Sequence, residues 1–165
     1  MSSELQNTVV ESQQGQQLQN NNLHGQSMLP AVVESVLGNL GSQSFHNFKG
    51  DQLQVWQQIS KATGPDNISA DQVLGKEIRL TSFYCHQIHV AGATPGEYVP
   101  AVRVVLIDTD RQGYAFASEG VAQDLARIIG AFGMGPYVPP ISIMVKQFRT
   151  RMGRNAYSIQ PYEKP

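Results

Sequence analysis

The sequence predicts a mainly β fold: a five-stranded Greek-key barrel with one helix between its third and fourth strands, preceded by short helices and a disordered N-terminal arm. Three observations carry that expectation. The first 30 residues are rich in Gln and Asn and contain no aromatic residue. From Gly75 onward the chain changes to stretches dense in β-branched and aromatic side chains. A single segment of helical periodicity interrupts those stretches after the third of them. A length of 165 residues, 41% of them hydrophobic, suits one domain with an appendage and argues against a two-domain enzyme.

Residues 1–30 hold seven Gln and four Asn, with too few large apolar groups to offset the entropy of ordering, and read as a disordered arm. Residues 31–74 read as short helices and linker. Pro30 opens a weak helix over Ala31 to Leu37 that stops near Gly38. Asp51, with Gln54 three residues later, has the form of a capping box, and Leu53, Val55, Trp56 and Ile59 form an apolar stripe that ends at Gly64-Pro65. Ser69 with Gln72 repeats the capping pattern, and Trp56 is expected to dock its helix on the domain that follows, base stacking being the alternative.

The domain itself is expected over residues 75–162. Lys76 to Val90 is long enough for a bent first strand, and AGATPGEY supplies a loop. Ala101 to Ile107 is a second strand, DTDRQG a polar turn, and Tyr114 to Ala117 a third strand. Ser118 is placed to cap a helix from about Gly120 to Phe132 whose Val121, Leu125, Ile128, Ile129 and Phe132 share a face. GMGPYVPP ends that helix; Ile141 to Thr150 and Ala156 to Gln160 are the fourth and fifth strands, joined by a turn at Met152 to Asn155.

Charge changes along the chain. Up to residue 75 two basic residues face six acids, a balance of −4, whereas from 76 to 165 ten basic residues face seven acids, a balance of +3. No acid occurs between Asp124 and Glu163. The overall charge of −1 therefore conceals a basic C-terminal part.

Three strands, a helix and two strands is the order of the OB-fold, whose helix plugs one end of the barrel. The short leading helix, the GKEI strand opening, the RVVLIDTD strand and turn, the SEGVAQDL helix start and the Lys146–Arg154 hairpin occur collinearly over residues 52 to 162. On these phrases the chain resembles the phage and plasmid type of OB-fold single-stranded DNA-binding protein. The resemblance implies a nonenzymatic protein that coats and protects single-stranded DNA during replication or recombination of a phage or mobile element. It also implies contacts with replication or recombination proteins. The bacterial housekeeping version carries an acidic tail with an apolar tip, while this chain closes on Tyr162-Glu163-Lys164-Pro165, so recruitment through a C-terminal tail is not expected.

Nonspecific single-strand binding needs cations that follow phosphates and flat side chains on which bases stack. KQFRTRMGR supplies Lys146, Arg149, Arg151 and Arg154 without an acid and encloses Phe148; Tyr157 follows on the next strand. A merely solvated hairpin tip is the competing reading of this segment. In the first strand Arg79 and Phe83 share one parity and Tyr84 and His86 the other, and a bend decides which set is exposed. Arg103 interrupts the apolar run of the second strand, where a charge in the core is costly, so it is expected to face solvent or the groove. Tyr114 and Phe116 share a face of the third, with Tyr114 the better stacking candidate and Phe116 the better core residue.

Catalytic readings find little support. His86 and His89 are three apart on a strand and face opposite sides, which disfavours a shared metal. Asp108-Thr-Asp110 reads as a solvated turn, and Gly130-Ala-Phe-Gly-Met-Gly follows a helix instead of opening one and lacks the Lys-Ser/Thr of a phosphate loop. Cys85, the single cysteine, excludes an intramolecular disulfide and reads as a buried small hydrophobe. No cofactor is expected. The absence of a secretory signal and of a long apolar run leads to the expectation of a soluble, cytoplasmic protein with no membrane contact. Two other readings remain: an RNA-binding OB module, and an assembly protein whose barrel binds protein while the Gln/Asn arm self-associates.

Overall fold

The computed structural model describes residues 44–151 and 153–164; the arm at 1–30 and the helix expected over 31–37 lie outside them. Asp51 begins the first helix, α1 (Gln52–Thr63), as the sequence indicates. Its carboxylate accepts the Gln54 N–H at 2.8 Å, while the Gln54 side chain accepts the Asp51 N–H at 3.0 Å, so two donors left open by the first turn are satisfied reciprocally. A short helix α2 (Ala70–Val73) follows Ser69, whose side chain makes no capping bond.

The chain is mainly β, and its strands form one curled mixed sheet. Before α1 lies a two-residue strand β1 (Phe45–His46), and before α2 another, β2 (Ile68–Ser69). Then come β3 (Ile78–Ala91), β4 (Tyr98–Asp108), β5 (Gly113–Phe116), the helix α3 (Glu119–Phe132), β6 (Ile141–Arg149) and β7 (Asn155–Pro161). The sheet order is β2-β5-β4-β3-β6-β7, with β1 pairing β3 as a side branch. All described pairings are antiparallel except β2 with β5. β4 begins at Tyr98, three residues before the expected start, so it takes in the end of the segment read as loop.

β3 holds the sheet together because it serves two partners. Ile78 to Leu80 pair with β6, and Leu80 to Ala91 pair with β4. The change of partner coincides with an irregularity in register between Leu80 and Ser82. There the Thr81 hydroxyl is 3.1 Å from the Ile107 and Asp108 carbonyl oxygens, and the Thr81 carbonyl accepts the Tyr137 N–H at 2.8 Å. A one-residue shift moves side chains to the other face of a strand. Thus Ile78 and Leu80 face the core before the shift, and Phe83 and Cys85 face it after.

Two apolar clusters form on the two faces. The larger joins Leu80, Phe83, Val104, Leu106, Phe116 and Val145 to Val121 and Leu125 of α3, whose apolar stripe is covered as its periodicity requires. The smaller joins Tyr84 and Val105, cross-strand partners, to Phe48 and to Ala62 of α1, with Val55 and Ile59 packed against it. Trp56 does not dock the helix: it is 64% exposed, because Val55, Ile59 and Ala62 occupy the face that meets the sheet. Ser118 stands at the N-cap of α3 but makes no side-chain cap bond; its hydroxyl instead lies 3.4 Å from both the N and the O of Tyr157 on β7. Among the described residues no helix is long and apolar enough to cross a membrane.

Candidate nucleic-acid interface

The β6–β7 hairpin leaves the core at the cross-strand pair Val145 and Ile159, both buried. Beyond it the pairs are Lys146 with Ser158, Gln147 with Tyr157, Phe148 with Ala156 and Arg149 with Asn155. The tip is closed by the Thr150 N–H to the Arg154 carbonyl at 2.8 Å and the Gly153 N–H to the Thr150 carbonyl at 2.9 Å. Gly153 has a φ of 74°, which glycine adopts without the steric cost of a side chain.

Strand alternation puts Lys146 and Phe148 on the face opposite Val145, about 7 Å apart by strand rise, with Gln147 and Arg149 on the other face. All four side chains are exposed, as are Arg151 and Arg154. Phe148 is 47% exposed although apolar. Among the described residues the one ion pair is Arg127 with Asp124, so none of the four hairpin cations is paired with a carboxylate. The result is a ribbon with cations on both faces and at the tip, and one accessible aromatic ring.

The other sequence-selected residues divide. Arg79 is exposed and lies across from Ser142, whose hydroxyl donates to Glu77 at 2.8 Å. His86 and Arg103 are cross-strand partners, both half-buried. Burial, and secondarily the Arg103 charge, hold the His86 imidazole below its ordinary value. Phe83 is corrected from surface to core: it has 0% exposure and packs 5.5 Å from the Phe45 ring, out of reach of a base. Tyr84 is also corrected, since α1 and Phe48 cover its ring, which stacks on Phe48 at 6.2 Å.

Tyr114 packs against the larger cluster and donates its hydroxyl to Asp108 Oδ2 at 2.7 Å. Burial together with the Asp108 bond pushes its phenol up to about 12. Asp108 also accepts the N–H groups of Asp110 and Gln112 at 2.9 Å each, so this buried carboxylate organises the turn and is not the solvated residue expected. Tyr157 tilts against Phe116 at 6.3 Å and donates to Asp71 at 2.9 Å, a bond that raises its pKa. Tyr114 and Tyr157 are therefore engaged by the protein, while Phe148 on the hairpin and Trp56, the base-stacking alternative on α1, are accessible rings.

One residue missed by the sequence reading is Tyr98, 71% exposed at the start of β4. Its position at the end of the Thr94–Glu97 turn, in a segment rich in Gly and Pro, was a usable signal. Among the described residues no group of three His, Cys, Asp or Glu is arranged to hold a metal ion. Burial pushes the Cys85 thiol up, away from the thiolate form that reacts. No family model matches the chain, and neither a curated protein nor a solved structure matches it.

Proposed function

We propose that the protein binds single-stranded DNA without sequence preference, coating and protecting the strand, through an OB-type barrel whose β6–β7 hairpin grips the backbone. The observation that carries this reading is the hairpin itself: four cations that form no ion pair among the described residues, no acid and an accessible Phe148. Cations that follow phosphates and a ring that stacks on bases are the two requirements of sequence-tolerant single-strand binding.

The barrel reading is supported by strand order. The five longer strands run β5-β4-β3-β6-β7, with the helix between β5 and β6, which is the Greek-key order of an OB-fold. β5, whose outer side pairs with β2, approaches β7 where the Phe116 ring tilts against Tyr157 at 6.3 Å, beside the contact of Ser118 with the Tyr157 backbone. In that fold the hairpin between the last two strands is a nucleic-acid-binding loop. Replication or recombination of a phage or mobile element is the setting suggested by the resemblance noted in the sequence.

The test is a titration of fluorescently labelled oligo(dT) with the full chain, followed by anisotropy, with duplex DNA and oligo(U) as competitors. The proposal expects saturable binding that duplex does not displace. Displacement by oligo(U) as readily as by oligo(dT) would move the assignment to single-stranded nucleic acid in general; absence of binding would refute it.

A further inference from the structure

Docking of α1 through Val55, Ile59 and Ala62 leaves the polar edge of the helix standing beside the β4–β5 turn. Between them lies an open groove of about 650 Å³, within the size range of small-molecule sites. Its charged lining is Lys49, Lys61, Arg111 and Asp108. The neighbouring acids Asp51, Asp66 and Asp110 are not among its lining residues.

The single acid does not cancel the cations. Asp108 already accepts two backbone N–H groups and the Tyr114 hydroxyl, and no ion pair joins it to Lys49, Lys61 or Arg111 among the described residues. Three cations against one acid thus line one concave surface. Arg111 adds an independent observation. Its φ is 61°, left-handed backbone that disfavours most residues with a Cβ, Gly and Asn being the ordinary choices at such a turn position. A strained arginine lining a cationic groove is the pattern expected when the side chain is needed by a ligand.

We propose that this groove is a binding site for a phosphate ester of nucleotide size, held by Lys49, Lys61 and Arg111. The ester can come from a free nucleotide or from one segment of a bound strand, and the site does not depend on the hairpin reading above. The Lys61→Gln/Arg111→Gly double variant suits the test, because glycine removes the charge while relieving the left-handed backbone, so the fold is retained. A thermal melt checks that directly.

Wild type and double variant are titrated in the full chain with thymidine monophosphate by calorimetry and with labelled oligo(dT) by anisotropy. Affinity lost at least tenfold for the mononucleotide alone assigns the groove to free nucleotide, and lost for oligo(dT) assigns it to the strand. If neither probe loses affinity, or neither binds, the groove proposal is overturned. Oligo(dT) binding that falls on substitution of the hairpin but not of the groove, with no mononucleotide affinity lost in the groove variant, overturns this proposal and leaves the single-strand reading intact. Mononucleotide binding lost in the double variant, with no oligo(dT) binding at all, does the reverse.

Discussion

Replacing Arg149, Arg151 and Arg154 together by alanine removes three of the four hairpin cations from positions that carry no core packing. Each phosphate neutralised on a single strand contributes about −0.7 to the slope of log K against log salt. Four contacts give a slope of about −2.8, and the variant, left with Lys146, about −0.7. Between 50 and 200 mM salt the wild type then loses about 50-fold in affinity and the variant about threefold. The assay is anisotropy of labelled oligo(dT) at four salt concentrations, with a thermal melt of each protein. The melting temperature should hardly move, because exposed residues without ion pairs contribute little to stability. An unchanged slope in a folded variant would remove the hairpin from the interface, and a slope near zero in the wild type would refute the electrostatic argument.

Other expectations follow from burial and titration. Phe83→Ala should cost about 3–5 kcal/mol by leaving a cavity in the core, while Phe148→Ala should leave the melt unchanged and weaken oligo(dT) binding by the 1–3 kcal/mol or so of one lost stack; paired denaturation and binding curves separate the two. Gly120→Ala should destabilise by about 1–3 kcal/mol, since a Cβ there meets the Tyr157 carbonyl oxygen of β7, and urea unfolding reads the loss. His46 and His86 both have folded pKa values below the ordinary 6.5, held there by burial and, for His86, also by Arg103. The unfolded chain therefore binds more protons than the folded one in the window below 6.5, so their contribution is fully present above that pH and is lost as pH falls through the folded values. Melting temperatures should drop from neutral toward mildly acidic pH, and less steeply in a His46→Gln/His86→Gln variant; equal slopes in the two proteins would contradict the assignment.

The elements that depend on local chemistry were readable in the sequence. The Asp51–Gln54 capping box and the 3.6-residue periodicity of α3 are short-range signals, and both elements occur where those signals put them. What the sequence left open depends on tertiary pairing. Phe83 and Tyr84 are adjacent on one strand, and which face each takes follows from the register shift near Leu80, set by the exchange of β6 for β4 as partner. β1 is two residues long and exists through its pairing with Tyr84 and Cys85, so no periodicity announces it. Trp56 was assigned to docking as a member of the stripe of Leu53, Val55, Trp56 and Ile59, but the angular position of Val55, Ile59 and Ala62 on α1 determines which face meets the sheet. Of the candidate interface, the basic run from Lys146 to Arg154 was legible because it lies in one contiguous hairpin. The engaged states of Tyr114 and Tyr157 were not, since their partners Asp108 and Asp71 are brought to them by folding.

The central claim is that single-stranded DNA lies along the β6–β7 hairpin. Photocrosslinking of oligo(dT) to the full chain, with the attachment sites mapped by mass spectrometry, tests it most directly. The account predicts a crosslink in the peptide containing Phe148, suppressed by unlabelled oligo(dT) and lost in Phe148→Ala. Efficient crosslinking confined to other rings, such as Trp56 or Tyr98, with none in that peptide, would contradict it.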